Sequence, residues 1–251
     1  MPTLIILGSS FAIPDEKHEN THLAVIGNHE ALMIDCPGNP LVRLRQAGID
    51  PDQITDLLLT HFHPDHVSGF PLLMMDLWLL GRERPLRIHG LAYTLDRVQE
   101  NMELYNWGRW PNFFPLQFNH LEETEMVPVL ENEAWRVFTS PVEHLIPNVG
   151  VRVEFSESGE VLVYSSDTQP CPQVVRLAQA ADVLLHECAG AAPGHTGPVQ
   201  AGEIAREAGV KQLYLIHYPT GEFTRPELGE QAAEAFGGPV ALAEDLMRIE
   251  F

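Results

Sequence analysis

Cysteine is scarce. Cys36, Cys171 and Cys188 are the only three in 251 residues, an odd number that cannot pair completely within one chain. This excludes a disulfide-stapled scaffold and leads us to expect a reducing, cytoplasmic setting. Positive charge is scarce too. Lys and Arg number 15 against 35 Asp and Glu, a formal net charge of −20, and a field of that sign repels polyphosphate chains, so nucleic acid is not an expected partner. No apolar run is long enough to span a bilayer, and no charged segment followed by an apolar stretch opens the chain, so neither a membrane span nor a secretory leader is expected. Fixed-period repeats, heptads and low-complexity tracts are also missing. What remains is a chain that is 45% hydrophobic, enough to bury a large core, and we expect a single domain over 1–251.

The elements follow from patterning. Residues 3–8 read as a strand that closes at Gly8-Ser9-Ser10, an opening whose role looks purely structural. Residues 22–26 and 31–35 form a hairpin around Gly27-Asn28, a pair that tolerates positive φ. Asn39-Pro40 is a cap followed by a proline at the first helical position, and Gly48 stops that helix. The aliphatic run 56–60 is a buried strand. Residues 68–80 are apolar nearly all round, which predicts a fully buried helix ending at Gly81. Strands follow at 151–155, 161–165, 183–186 and 213–216, and helices at 172–180, 198–208 and 226–236. The stretch 105–115 has five aromatics interrupted by prolines. It reads as an irregular loop that caps a site, packs an interface or fills a satellite core.

Histidine is where the sequence is rich. Thr60-His61-Phe62-His63-Pro64-Asp65-His66 sets three imidazoles and one carboxylate at the end of a strand. The strand delivers backbone rigidly and Pro64 stiffens the loop, so His61, His63, Asp65 and His66 can converge with little left to order. That density of nitrogen and oxygen donors is how a metal site is built. Cys188, as a lone thiol, reads instead as a small buried hydrophobe.

With these residues the sequence resembles the metallo-β-lactamase superfamily, whose signature is His-x-His-x-Asp-His after a strand. In that family an isolated His, a bridging Asp and a late His complete the ligand set, each at a strand end. His144 after Pro141-Val142-Glu143, Asp167 after Ser165-Ser166, and His217 after Leu213-Tyr214-Leu215-Ile216 match in order and placement. The resemblance implies a four-layered αββα sandwich of the α+β class. It implies two divalent metal ions, with His61, His63 and His144 on one, Asp65, His66 and His217 on the other, and Asp167 bridging both. The mixed donors make zinc the expected ion, with manganese or iron as alternatives. Asp35, at the end of the third strand, would orient a ligand histidine.

His186-Glu187-Cys188-Ala189 and Gly194-His195-Thr196-Gly197 resemble the paired segments of the ribonuclease Z branch, although Cys188, Ala189 and Gly197 depart from the pattern. By that resemblance Glu187 and His195 act together at the scissile phosphodiester, Asp65 belongs to the catalytic set, and His186 is structural. A helix opening near Thr196 to Pro198 would also offer unpaired N–H groups to a phosphate. The branch's RNA-gripping arm has no room here, since the stretch from His144 to Asp167 holds a hairpin and little more. We therefore expect a metal-dependent hydrolase that uses a metal-activated water on small anionic phosphodiesters. Other readings are a tRNA 3′-processing endonuclease, a lactone or carboxyl-ester hydrolase, or a binding module stabilised by its metals. A homodimer is usual in the resembled branch.

Overall fold

The computed structural model describes residues 2–251. In chain order its first half consists of β1 (Thr3–Gly8), β2 (His22–Ile26), β3 (Ala31–Ile34), α1 (Pro40–Gln46), β4 (Ile54–Leu58), α2 (Pro64–Val67), α3 (Phe70–Leu79), β5 (Leu86–Leu91), α4 (Ala92–Leu104) and β6 (Leu116–Leu121). The second half adds β7 (Val127–Glu131), β8 (Trp135–Val142), β9 (Asn148–Phe155), β10 (Val161–Tyr164), α5 (Pro172–Leu177), β11 (Val183–Glu187), α6 (Pro198–Ala208), β12 (Gln212–Ile216), α7 (Leu228–Phe236), β13 (Val240–Leu242) and β14 (Arg248–Glu250). The strands form two mixed sheets of seven, in the orders β14-β1-β2-β3-β4-β5-β6 and β13-β12-β11-β10-β9-β8-β7.

Strand alternation makes the layers. Along β1, Leu4 and Ile6 join a core between the sheets together with Leu23, Val25, Trp135, Val151 and Tyr164, whereas Ile5 and Leu7 face outward into a second core. That outer core lies under α1, α3 and α4, and a third, built from Val174, Leu184, Ile204, Ala205 and Phe236, lies under α5, α6 and α7. Helices thus cover both outer faces of the paired sheets, which is the α+β sandwich the sequence implied.

Several elements differ from their sequence reading. The buried strand lies at Ile54–Leu58, so residues 59–63 are extended chain beyond it. The donor cluster is not all loop, because Pro64 takes the first position of the short helix α2, which carries Asp65 and His66. The apolar helix α3 is only half buried. Phe70, Leu73, Met74 and Leu77 face the core, but Leu79 and Leu80 at its C-terminal end are 66% and 54% exposed. The aromatic stretch packs on the helix-side core, with Phe114 buried in it. Trp107, Trp110 and Phe113 pack against the helix-side cluster, and Trp78 stacks on Trp110 with ring centroids 5.0 Å apart.

Parallel pairing positions the site. β3, β4 and β5 run parallel in one sheet and β10, β11 and β12 in the other. Their C-terminal ends therefore deliver the residues that follow them to one edge of the sandwich.

Candidate metal centre

Beyond β4 the chain turns at Thr60, and the first cluster follows directly. His61 Nε2 and His144 Nε2 each lie 3.1 Å from His63 Nδ1. Ligands at about 2.0–2.1 Å from a tetrahedral zinc sit roughly 3.3 Å apart, so these three nitrogens already have the spacing of a ligand set. The opposite ring nitrogens fix which lone pairs point inward. His144 Nδ1 donates to the Gly194 carbonyl at 2.7 Å. Thr60 Oγ1 donates to Asp35 and is thereby left to accept from His61 Nδ1 at 3.0 Å. Both Nε2 atoms are then free lone pairs.

The second cluster is Asp65, His66, Asp167 and His217, whose ligand-capable atoms lie within 4.8 Å of one another. Asp35 Oδ2 accepts from His66 Nδ1 at 2.8 Å, and its other oxygen accepts from the Thr60 N–H at 2.8 Å. His66 Nε2 is turned inward as a result. Asp167 joins the two clusters: its Oδ2 lies 3.3 Å from His217 Nε2, 3.5 Å from His66 Nε2, 3.9 Å from His61 Nε2 and 4.0 Å from His144 Nε2. One carboxylate oxygen thus faces ring nitrogens of both groups. Asp167 Oδ1 and His66 Nε2 are buried without a hydrogen-bond partner among the described residues, a costly arrangement that a cation resolves.

The electrostatics agree with that reading except at His66, which, against the effect of burial, Asp167 and Asp35 hold well above the ordinary histidine range, so that a bound cation would have to displace its proton. Burial holds His61 and His144 below the ordinary histidine range and His217 down to about 4, so these imidazoles are neutral donors. Burial opposes the charge on Asp167, but the neighbouring His217 and His66 outweigh it and keep the group well below the usual carboxylate range. Neutral imidazoles and charged carboxylates are the forms that bind metal.

Beside the clusters stands a buried dyad. Glu187, the last residue of β11, has no solvent exposure. Its Oε1 accepts from the Thr196 N–H at 2.9 Å, the Thr168 N–H at 3.2 Å and His195 Nδ1 at 3.1 Å, and its Oε2 accepts from the Ala189 N–H at 2.8 Å. Burial pushes Glu187 up to about 7, and its hydrogen bond raises His195. His195 is grouped with His144 and Asp167, their ligand-capable atoms within 4.8 Å. Since Nδ1 is held by Glu187, the atom left to meet a substrate is Nε2.

Three non-glycine residues of the site have left-handed backbone: Asp35 at φ 63°, Ser166 at 54° and His217 at 54°. Each such conformation costs about 1–3 kcal/mol and persists only where its surroundings hold it. Here they do. Asn148 Nδ2 donates to the Asp167 carbonyl at 2.7 Å and its Oδ1 accepts from Ser166 Oγ at 2.9 Å, while His217 N–H donates to the Ser9 carbonyl at 2.9 Å.

Residues 32–218 match the beta-lactamase superfamily domain. The chain belongs to the metallo-β-lactamase superfamily. Ribonuclease Z of Methanothermobacter thermautotrophicus is 28% identical over 305 aligned positions, covering 100% of this chain and 97% of that one. Ribonuclease Z of Mycobacterium sp. strain KMS is 28% identical, covering 100% and 96%. Among solved structures, the metallo-beta-lactamase fold protein YhfI of Bacillus subtilis superposes with a TM-score of 0.84 at 19% identity, covering 99% of this chain and 98% of its own. The short form of human tRNase Z gives 0.79 at 22%, covering 99% and 98%. Yeast PDE1 gives 0.77 at 16%, covering 99% of each. The chain is a ribonuclease Z-like, metal-dependent hydrolase of that superfamily.

Within this superfamily member the structure brings His61, His63, Asp65, His66, His144, Asp167, His195 and His217 together, with Glu187 behind His195. It keeps His186 and Cys188 apart from them, both buried in or beside β11. Ahead of α6, Thr196 N–H is held by Glu187 and Gly197 N–H by Gln200 Oε1 at 2.9 Å, so these two donors are taken before the helix opens at Pro198. Sequence reading also missed Thr60, Thr21, Ser9 and Asn148, whose side chains or carbonyls orient the histidines and Asp167. Only Thr60, next to His61, carries a signal in the chain; Ser9, Thr21 and Asn148 are adjacent to no donor.

Proposed function

We propose that the chain is a dinuclear phosphodiesterase acting on small anionic phosphodiesters, and the observation that carries this is the Glu187–His195 dyad facing the same point as Asp167. His61, His63 and His144 would hold one ion and Asp65, His66 and His217 the other, with Asp167 between them and zinc as the best match to the donor set. When bound, two such ions supply an acidified water and neutralise charge on an anionic centre. The chain's own residues do the rest. Asp35, Thr60 and Gly194 fix ring orientation, and His195 carries a proton on Nε2 that it can deliver to the leaving oxygen. Glu187, buried and fully hydrogen bonded, keeps that imidazole protonated. A lactonase or carboxyl-esterase needs no such donor, and a binding module needs neither the dyad nor its tuned acidity.

Small substrates are favoured over RNA by two facts. The stretch between His144 and Asp167 holds only the β9–β10 hairpin, and the net charge of −20 opposes a polyanion. The alignment with the Methanothermobacter enzyme is 305 positions long against a chain of 251, so that relative carries several tens of residues without a counterpart here. The second reading is tRNA 3′ processing, favoured by relatives named ribonuclease Z that align over the whole chain. Rates of the zinc-loaded protein on an aryl phosphodiester and on a tRNA precursor decide between them. Efficient precursor cleavage at physiological salt would replace the small-substrate reading. Three buried, unpaired cysteines fit a reducing compartment.

A further inference from the structure

The turn between β13 and β14 lies far along the chain from every donor, yet it is tied to one of them. Asp245 accepts four hydrogen bonds. Its Oδ1 receives the Ser9 N–H at 2.9 Å and Ser9 Oγ at 2.7 Å, and its Oδ2 receives the Glu19 N–H at 2.9 Å and Arg43 Nη2 at 2.6 Å. Its side chain is 9% exposed, so these bonds are shielded from competing water. Arg43 in turn donates from Nε to the Leu7 carbonyl at 2.7 Å. One carboxylate therefore ties α1, the end of β1 and the segment leading into β2 to a single point.

Two of those segments hold His217. The Ser9 carbonyl accepts the His217 N–H at 2.9 Å, which steadies a backbone in the left-handed region. Ten residues of loop later the chain returns through Glu19, and Thr21 Oγ1 donates to the Ser10 carbonyl at 2.9 Å, so it is left to accept from His217 Nδ1 at 3.2 Å. That bond places the proton on Nδ1 and turns the Nε2 lone pair toward Asp167. Removing the carboxylate would take an anchor from Ser9 and Glu19 at once. The backbone and the ring of His217 would both lose support, while His61 and His144 are held through Thr60 and Gly194, which Asp245 does not touch.

We infer that Asp245 is a positioning residue for the second metal ion, acting through Ser9 and Thr21 on His217. This rests on the dinuclear reading, in which His217 is a ligand of that ion. Partners behind metal ligands change affinity by about 10–100-fold. Asp245 stands one step further back, so Asp245→Asn should weaken the second ion by about tenfold, at the lower end of that range, and leave the first unchanged. Asparagine keeps one acceptor for Ser9 but presents an amide N–H₂ where Glu19 and Arg43 also donate. Arg43→Gln, which loosens the same carboxylate from its other side, should act in the same direction more weakly.

The test has two arms. Zinc and cobalt are titrated into wild type and both variants against a chromophoric chelator, with cobalt absorption reporting each site's geometry. In the metal-free proteins, nitrogen NMR of the imidazoles reads the His217 tautomer. The expected result is two ions in wild type, selective weakening of the second in Asp245→Asn, and a His217 signal that moves from a fixed Nδ1–H form toward an averaged one. Equal weakening of both ions, or unchanged affinities with an unchanged tautomer, overturns the inference. If wild type never takes a second ion the dinuclear reading fails, and the metal-free arm still decides whether Asp245 fixes His217. Should Asp245→Asn fail to fold, Arg43→Gln carries both arms by itself.

Discussion

If Glu187 and His195 form a proton donor, removing the imidazole must cost in proportion to how much the leaving group needs a proton. General acid catalysis contributes typically 10²- to 10⁴-fold, so His195→Ala should slow a phosphodiester with an alkoxide leaving group by about that factor. At about 1.36 kcal/mol per decade this is roughly 2.7 to 5.4 kcal/mol of transition-state stabilisation. A nitrophenyl ester leaves as a stable anion and should lose far less. Glu187→Gln keeps the size of the side chain but turns a charge-assisted bond to His195 into a neutral one. A hydrogen bond to a charged group contributes about 1.5–3 kcal/mol, so that variant should sit between the two, at about 10- to 100-fold on the poor leaving group.

The pH profile gives the same dyad a second handle. The Glu187 hydrogen bond raises the pKa of His195, and the acid is active only below that raised pKa. Turnover of a poor leaving group should therefore fall as pH rises through it. In Glu187→Gln the raising interaction is gone, so the alkaline limb should move to lower pH. Steady-state kinetics on both esters from pH 5 to 10, with elemental analysis of each variant, make the measurement. The reasoning is refuted if His195→Ala slows both esters equally with the loss confined to KM, since that marks a binding contact. It is refuted equally if the variant loses a metal ion, or if the alkaline limb stays in place in Glu187→Gln.

Other expectations can be checked on the same material. Elemental analysis after zinc reconstitution and desalting should find close to two ions per chain, and a value that stays at one would remove the dinuclear assignment. Asp65→Ala should abolish turnover with an unchanged circular dichroism spectrum, because its carboxylate, 15% exposed, lies in the donor cluster and packs into no apolar core; full activity would show the second ion to be dispensable. Asp35→Asn should weaken metal binding about 10- to 100-fold, since Thr60 N–H and His66 Nδ1 then share a single acceptor. Phe70→Ala should cost about 3–5 kcal/mol in urea unfolding, because Phe70 is 1% exposed in the helix-side core; a loss under 1 kcal/mol would mean that this core collapses to refill the space.

What could be seen from the sequence was whatever depends on neighbours in the chain. The first cluster of donors was legible because His61 to His66 follow a short aliphatic strand, a local pattern, whereas His144, Asp167 and His217 were placed by the resemblance to the family's ligand order. β5 was missed for the opposite reason. Arg87 and His89 on its inner face look foreign to a buried strand, but Asp56 of the adjacent β4 accepts from Arg87 Nε at 2.7 Å and pairs with His89 Nε2 at 2.8 Å, and that pairing is invisible until the strands lie side by side. α4 escaped notice because its core contacts, Leu95, Val98 and Met102, form a narrow stripe among polar residues. β6 went unread although Leu116 and Phe118 alternate with Gln117 and Asn119, since none of its six residues is buried and the strand gives no hydrophobic run.

The hydrogen bonding just ahead of α6 was illegible on the same ground. The groups that take up the N–H donors there need not be near in the chain. Glu187, which precedes the helix by a loop, accepts Thr196 N–H and Thr168 N–H together. Those bonds change what the carboxylate is for. A glutamate with three backbone donors and one imidazole cannot swing out to meet substrate, so the partner of the dyad open to solvent is His195, whose side chain is 23% exposed. On the proposed reading the division of labour would follow from burial: the fully buried Glu187 tunes and the half-buried His195 touches. A phosphoryl group held by metal ions at the two histidine clusters would then have this proton donor within reach, and the leaving oxygen would depart on the His195 side. A substrate whose bulky group lies on that side should be turned over slowly even when it binds, which would show as a fall in kcat with little change in KM.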